Sequence, residues 1–231
     1  MMDETDTQPD LLPTLARVVR GTSMLFWGLP VAMVVSIMST LSNWTDAAWP
    51  MGMLMPPVAF GVLWVGLWLL GAFQPQERVW QAALGQAKLL GLFNLGLSPF
   101  LHWHHRAPDE LYFANAVWLL ALVFVFYLMA LNKTLARLAA MLPDETLRVE
   151  SQLFSRMNRV LLTITSISIG VMYLVTRIDE PPELLFRLVA IAAQFRPWLF
   201  MAFVLIPVSM TMSLLWKTKE SILASVFTPK Q

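Results

Sequence analysis

Apolar residues in this chain gather into six runs, at about residues 22–41, 51–73, 83–103, 111–131, 160–175 and 198–216, with polar or charged stretches between them. About 20 apolar residues carry a helix across roughly 30 Å of hydrocarbon, so the pattern predicts an all-α, polytopic membrane bundle of six transmembrane helices. The third run is the shortest. Its apolar centre, residues 89–103, spans only about 22 Å of helix, so it either borrows residues 82–88 or re-enters on the same side. The fourth and fifth runs form a hairpin with a charged, helix-friendly segment at 132–159, broken at Leu142-Pro143-Asp144. Proline ends the preceding helix and fits the first turn of the next, where Asp144 and Glu145 meet a positive helix end.

Two stretches have a one-sided pattern. Residues 10–21 place Leu11, Leu12, Leu15, Val18 and Val19 opposite Thr14, Arg17 and Arg20. This reads either as a short interfacial helix turning inward at Gly21 or as a solvated extension of the first crossing. Residues 181–196 put Leu184, Leu185, Leu188, Ile191 and Phe195 on one side, ahead of Pro197, and read as a second interfacial helix. Organisation follows as an acidic tail and amphipathic helix at 1–21, the six-helix domain at 22–217, and a tail at 218–231.

Composition supports a membrane setting: 57% of residues are hydrophobic and 13% charged, against about 25% charged in soluble domains. The acidic N-terminus, with Asp3, Glu4, Asp6 and Asp10, lacks the basic region of a cleaved signal, so the first run is expected to stay as an anchor. A net charge of +1, with scattered cations, argues against a nucleic-acid partner. Placement is more informative than the sum. With six crossings, Arg17, Arg20, Arg78, Lys88, Lys133, Arg137, Arg148, Arg156, Arg159, Lys217, Lys219 and Lys230 share one side, and Arg106, Arg177, Arg187 and Arg196 the other. The positive-inside bias then puts both termini in the cytoplasm of a cell (inner or plasma) membrane. Omitting the third crossing would nearly balance the two sides.

Candidate chemistry is sparse. No Asp, Glu, Lys, Arg or His lies mid-crossing, which counts against proton pumps, cation transporters and voltage sensors. The absence of cysteine excludes disulfides and thiolate sites. All three histidines, His102, His104 and His105, cluster at the outer end of the third run, and Met51, Met53 and Met55 belong to the same side. Imidazole with thioether suits copper, and clustered histidine suits copper or zinc. The competing reading, which we favour, is ordinary boundary packing with no cofactor. Thr163, Ser166, Gly170 and Tyr173 form a polar, small stripe on the fifth run, with Asn94 and Asn115 as buried amides, and close helix packing explains these better than a polar path. Gly61, Gly66 and Gly71 in the second run likewise admit another backbone.

In the hairpin, Leu135, Leu138 and Leu142 face Leu147, Val149, Leu153, Phe154 and Met157, ringed by Arg137, Arg148, Arg156 and Arg159. The arginines are candidate contacts for lipid phosphate or for a protein partner. The expected function is that of a non-enzymatic integral membrane protein, a structural or accessory subunit of a larger assembly with membrane or cytoplasmic protein partners. Alternatives are a permease subunit driven by a separate ATPase, or copper handling at the outer face.

Overall fold

The computed structural model describes residues 11–41, 51–142, 144–178 and 201–227, together with residues 182, 183, 187, 191, 194, 195, 198 and 199. The acidic start of the chain, the Trp44 and Trp49 linker, Pro143, most of the expected helix at 181–196 and the last four residues lie outside the described residues. Everything described is helix or short turn: α1 (Leu11–Leu41), α2 (Met51–Leu70), α3 (Arg78–Leu97), α4 (Phe100–Arg106), α5 (Leu111–Met141), α6 (Glu145–Val175), and a π-helical stretch (Met201–Leu205) that leads into α7 (Ile206–Phe227). Among the described residues, five stretches are long and apolar enough to cross a membrane: Pro13–Thr40, Gly52–Leu70, Leu111–Met141, Glu145–Val175 and Met201–Ala224.

The remaining long helix, α3, is the one that the sequence left short. It begins at Arg78, where Glu77 accepts a hydrogen bond from the Trp80 N–H at 3.0 Å. Buried Trp80 closes the preceding turn by donating its indole N–H to the Phe73 carbonyl at 2.9 Å. At the other end Ser98 and Pro99 keep helical angles, so α3 passes almost without a break into α4. Pro99 has no N–H for the Leu95 carbonyl, and the Ser98 hydroxyl donates to that carbonyl instead, at 2.8 Å. From Arg78 to Arg106 the path is about 43 Å long, twice what the apolar centre alone implied.

The helices form a closed ring. Going round it, α1 packs on α2, α2 on α3, α3 on α5, α5 on α6, α6 on α7, and α7 returns to α1. The core runs through every member, with Leu25, Leu29, Leu63, Leu67, Leu84, Leu131, Leu135, Leu162, Leu214 and Leu215 all buried. The first helix does not turn at Gly21, contrary to one reading of its sequence; it is continuous from Leu11 to Leu41. The glycine serves close approach, since a Cβ there would lie 2.8 Å from the Gly66 carbonyl oxygen of α2. Gly66 is the reciprocal half of the contact, with Leu25 Cγ 3.0 Å from where its Cβ would stand. Gly71 faces α3 instead, leaving room for the Lys88 ammonium, which sits 4.8 Å from the Trp68 ring centre near the negative end of α2. The C-terminal tail also continues as helix, through to Phe227, with Thr218 and Ile222 buried.

Gly21→Ala is expected to force α1 and α2 apart and lose about 1–3 kcal/mol. Gly170→Ala, where an added Cβ meets nothing, is expected to be neutral or to gain up to about 1 kcal/mol from helix propensity. Unfolding titrations of both variants in the same detergent check the contrast; equal losses at the two positions would contradict the assigned contact.

Candidate functional site

The hairpin of α5 and α6 is held to α7 by a buried polar node. Asn132 of α5 donates its amide to the Thr211 hydroxyl oxygen at 2.9 Å, and Asn158 of α6 donates to the same oxygen at 3.0 Å. Thr211 donates in turn to the Pro207 carbonyl at 2.8 Å, which lies 3.1 Å from the Asn158 amide. All three side chains are buried. One turn away, Pro207 cannot supply an N–H to the Phe203 carbonyl. Thr165 of α6 brings its hydroxyl to 3.1 Å from that oxygen, while also lying 2.9 Å from its own Leu161 carbonyl. The π-helical stretch Met201–Leu205 coincides with this interruption.

The node fixes how the two arms line up. Asn132 and Asn158 stand at one level in antiparallel arms, so at 1.5 Å per residue Arg159, Lys133, Arg156 and Arg137 follow one another toward the bend over about 9 Å. These four cations line one cavity of about 400 Å³ between α5 and α6, with Gln152, Ser155, Ala136 and Ala140 completing its wall. All four are exposed, and no acidic side chain lines the cavity. Three of the four arginines singled out by the sequence are therefore brought together. Arg148 is not among them, and Lys133, which the sequence reading passed over, takes its place.

Two of the hairpin acids, Asp144 and Glu150, are engaged elsewhere. Glu150 pairs with Lys217 of α7. Asp144 caps α6, accepting from the Thr146 hydroxyl at 2.7 Å and the Leu147 N–H at 3.0 Å. Those two bonds, first Thr146 and then Leu147, hold the Asp144 carboxyl below its ordinary value of 3.8, and the Ser221 hydroxyl of α7 adds to the effect.

A second feature is the outward face of α6. Val149, Leu153, Met157, Val160, Ile164, Ile167, Val171 and Leu174 are exposed, from 42% at Ile164 to 69% at Val149. From Leu153 onward they recur at alternating steps of four and three, the repeat of a helix seam that winds on another helix. The expected hydroxyl stripe beside it is largely uncovered by the described residues. Thr163 and Ser166 donate to their own helix, at Arg159 and Leu162, and Gly170 has open space. Among the described residues, the member of that stripe that engages α5 is Tyr173, near the start of α5, where its hydroxyl lies 3.5 Å from Asn115 and the Arg177 guanidinium bonds the same amide and stacks over the Tyr173 ring.

The three histidines sit on the short helix α4. His102 is fully buried against Trp103, whereas His104 and His105 are half-buried; His102 and His105, three apart, share a helix face, and His104 lies off it. Among the described residues no three His, Asp or Glu side chains are gathered closely enough to hold a metal ion. Inside the ring lies a cavity of about 210 Å³, walled by residues such as Phe60, Leu101, Phe124, Leu128 and Ile169. Its Ser36 hydroxyl donates to its own helix, as does that of Thr165 at Leu161, so the wall presents hydrocarbon. No protein-family model, curated protein or solved structure matches the chain.

Thr211→Val removes the oxygen that both amides share and is expected to destabilise the bundle by about 1–2 kcal/mol. Thr211→Ser keeps the oxygen and should lose less; the two are compared by unfolding in mixed micelles. The Asp144 cap adds stability that is complete above the ordinary carboxylate range and disappears as pH falls through its depressed folded value. Asp144→Ala is expected to lose about 1 kcal/mol at neutral pH, while Asp144→Asn retains a cap and shows a flatter acid profile. Hydrogen exchange at residues 146–148 between pH 7 and pH 3 reads the difference.

Proposed function

We propose that the chain is a non-enzymatic integral membrane subunit, threaded six times with both termini cytoplasmic, that joins a larger assembly through the outward face of α6. The carrying observation is that this apolar seam does not end where the membrane should. Below Arg159 the helix carries Arg148, Glu150 and Arg156, charges that belong in water, and yet Val149, Leu153 and Met157 remain 52–69% exposed among them. Lipid covers the upper part of the seam at no cost. The lower part needs a protein surface, because each uncovered Å² of hydrocarbon in water costs about 25 cal/mol.

Six crossings are supported by the length of the α3–α4 path and by its place in the ring, between α2 and α5, with short turns at 71–77 and 107–110 joining it to both. The charge asymmetry of the sequence supports the same threading. The partner that fits the seam is a helix with its own apolar repeat at steps of three and four, extending beyond the bilayer on the cytoplasmic side.

Because the chain has no cysteine, single-cysteine variants report cleanly. Thr146→Cys should react with an impermeant maleimide only from the cytoplasmic side and Asp109→Cys only from outside; the reverse pattern would remove the six-crossing threading. Leu153→Cys and Val160→Cys should cross-link in native membranes to one other protein, whereas Val58→Cys on α2 should not. Recovery of the uncross-linked chain as a partner-free monomer from those membranes would end the subunit reading.

A further inference from the structure

The cavity between the hairpin arms has a ligand chemistry of its own. Lys133 and Arg137 are one turn apart on α5, and Arg156 and Arg159 about one turn apart on α6, an arrangement of like charges that each helix would rather avoid. None of the four makes an ion pair or side-chain hydrogen bond among the described residues. The charges are staggered along about 9 Å of the hairpin, a placement set by the shared bond of Asn132 and Asn158 to Thr211. Small Ala136 and Ala140 leave room between them. Arginine pairs favour phosphate oxygens, which they meet with two parallel N–H donors.

We propose that this cavity is a binding site for an anionic phospholipid of the cytoplasmic leaflet, with preference for a headgroup bearing two phosphodiester groups over one bearing a single phosphate. A lipid is favoured over free phosphate by what adjoins the cations. Lys133 and Arg159 follow directly on the apolar arms, so the cavity opens at headgroup depth. On α5, Phe126 lies two turns from Lys133 on the same face and is exposed, a surface for acyl chains that no soluble anion would use. Four cations spread over about 9 Å exceed what a single phosphate can engage and suit two, and basic pockets between membrane helices on the cytoplasmic side bind headgroups of this kind. The site goes beyond the subunit reading and depends only on the threading that puts the hairpin at the inner surface.

The test uses the full-length chain extracted in mild detergent, with bound lipid counted by native mass spectrometry. Titrations then use nanodiscs of zwitterionic lipid doped with phosphatidylglycerol or diphosphatidylglycerol, and inorganic phosphate or pyrophosphate in solution. Wild-type protein is expected to retain one diphosphatidylglycerol and to bind it more tightly than phosphatidylglycerol. The variant K133Q/R137Q/R156Q/R159Q should bind it on the order of 100-fold more weakly or less, while R148Q, outside the cavity, should bind like wild type. Thermal unfolding gives a second readout: the two-phosphate lipid should raise the melting temperature of wild type and not of the quadruple variant. Should the quadruple variant not fold, R137Q/R156Q is read in the same way. Undiminished retention in the cavity variants, equal loss in R148Q, or equally tight binding of inorganic phosphate or pyrophosphate would each overturn the proposal. These results are read on the isolated chain, so they stand or fall separately from cross-linking at Leu153 and Val160.

Discussion

A carbonyl without its N–H is the difficulty around which this bundle is built. Hydrocarbon offers no water to satisfy a bare backbone group, and prolines inside long helices create such groups. At Pro207 the Phe203 oxygen loses its helical donor, and Thr165 reaches across from α6 to stand beside it. At Pro99 the Leu95 oxygen loses its donor and Ser98 supplies one from within the same segment. The first repair is between helices, so the defect in one becomes a tether to its neighbour. The Asn132, Thr211 and Asn158 node lies one turn further along and joins a third helix to the pair. Individually such bonds contribute about 0.6 to 1.7 kcal/mol in a membrane. Their larger effect is registration, because a shift of one residue along either arm would strand the amide that arm carries.

Registration at that node governs the electrostatics of the hairpin end of the bundle. Once Asn132 and Asn158 stand level, the cations that follow them have no choice but to converge on one side of the hairpin. On the other side the Asp144 cap and the Glu150 to Lys217 pair fasten α6 to the extension of α7. The hairpin therefore separates much of its charge: Asp144 and Glu150 are engaged toward α7, and Lys133, Arg137, Arg156 and Arg159 line the gap between α5 and α6. Apolar residues of α6 occupy the edge between the two. A membrane-bound hairpin with such an edge presents phosphate chemistry and hydrophobic contact side by side.

Much of the fold was legible because hydropathy alone constrains it. The ends of α2, α5 and α6, the break near Leu142 and the Asp144 cap follow from apolar run lengths and from the chemistry of proline and aspartate at helix ends. Gly21 was ambiguous, since a glycine that permits a turn and one that admits a neighbouring backbone look alike until the neighbour is placed; the Gly66 carbonyl decides it. The start of α3 was hidden because Arg78, Gln81 and Lys88 lower the hydropathy of a helix whose other face is buried. At the site, the arginines were visible as a ring, but which of them share a cavity depends on the relative phase of two helices. That phase is set by Thr211, distant in sequence from both amides, so nothing local could have separated Arg148 from the others or added Lys133 to them.

Closure of the ring also has a consequence in time. The face of α1 that carries Phe26, which lies against Trp216, is completed only when α7 arrives beside it. Ribosomes add about 5–20 residues each second, so roughly 10–40 seconds separate emergence of the two helices. Throughout that interval the nascent chain is an open horseshoe whose free edges are capped by lipid or by insertion machinery, and every earlier helix must wait for the last one before the circle is shut.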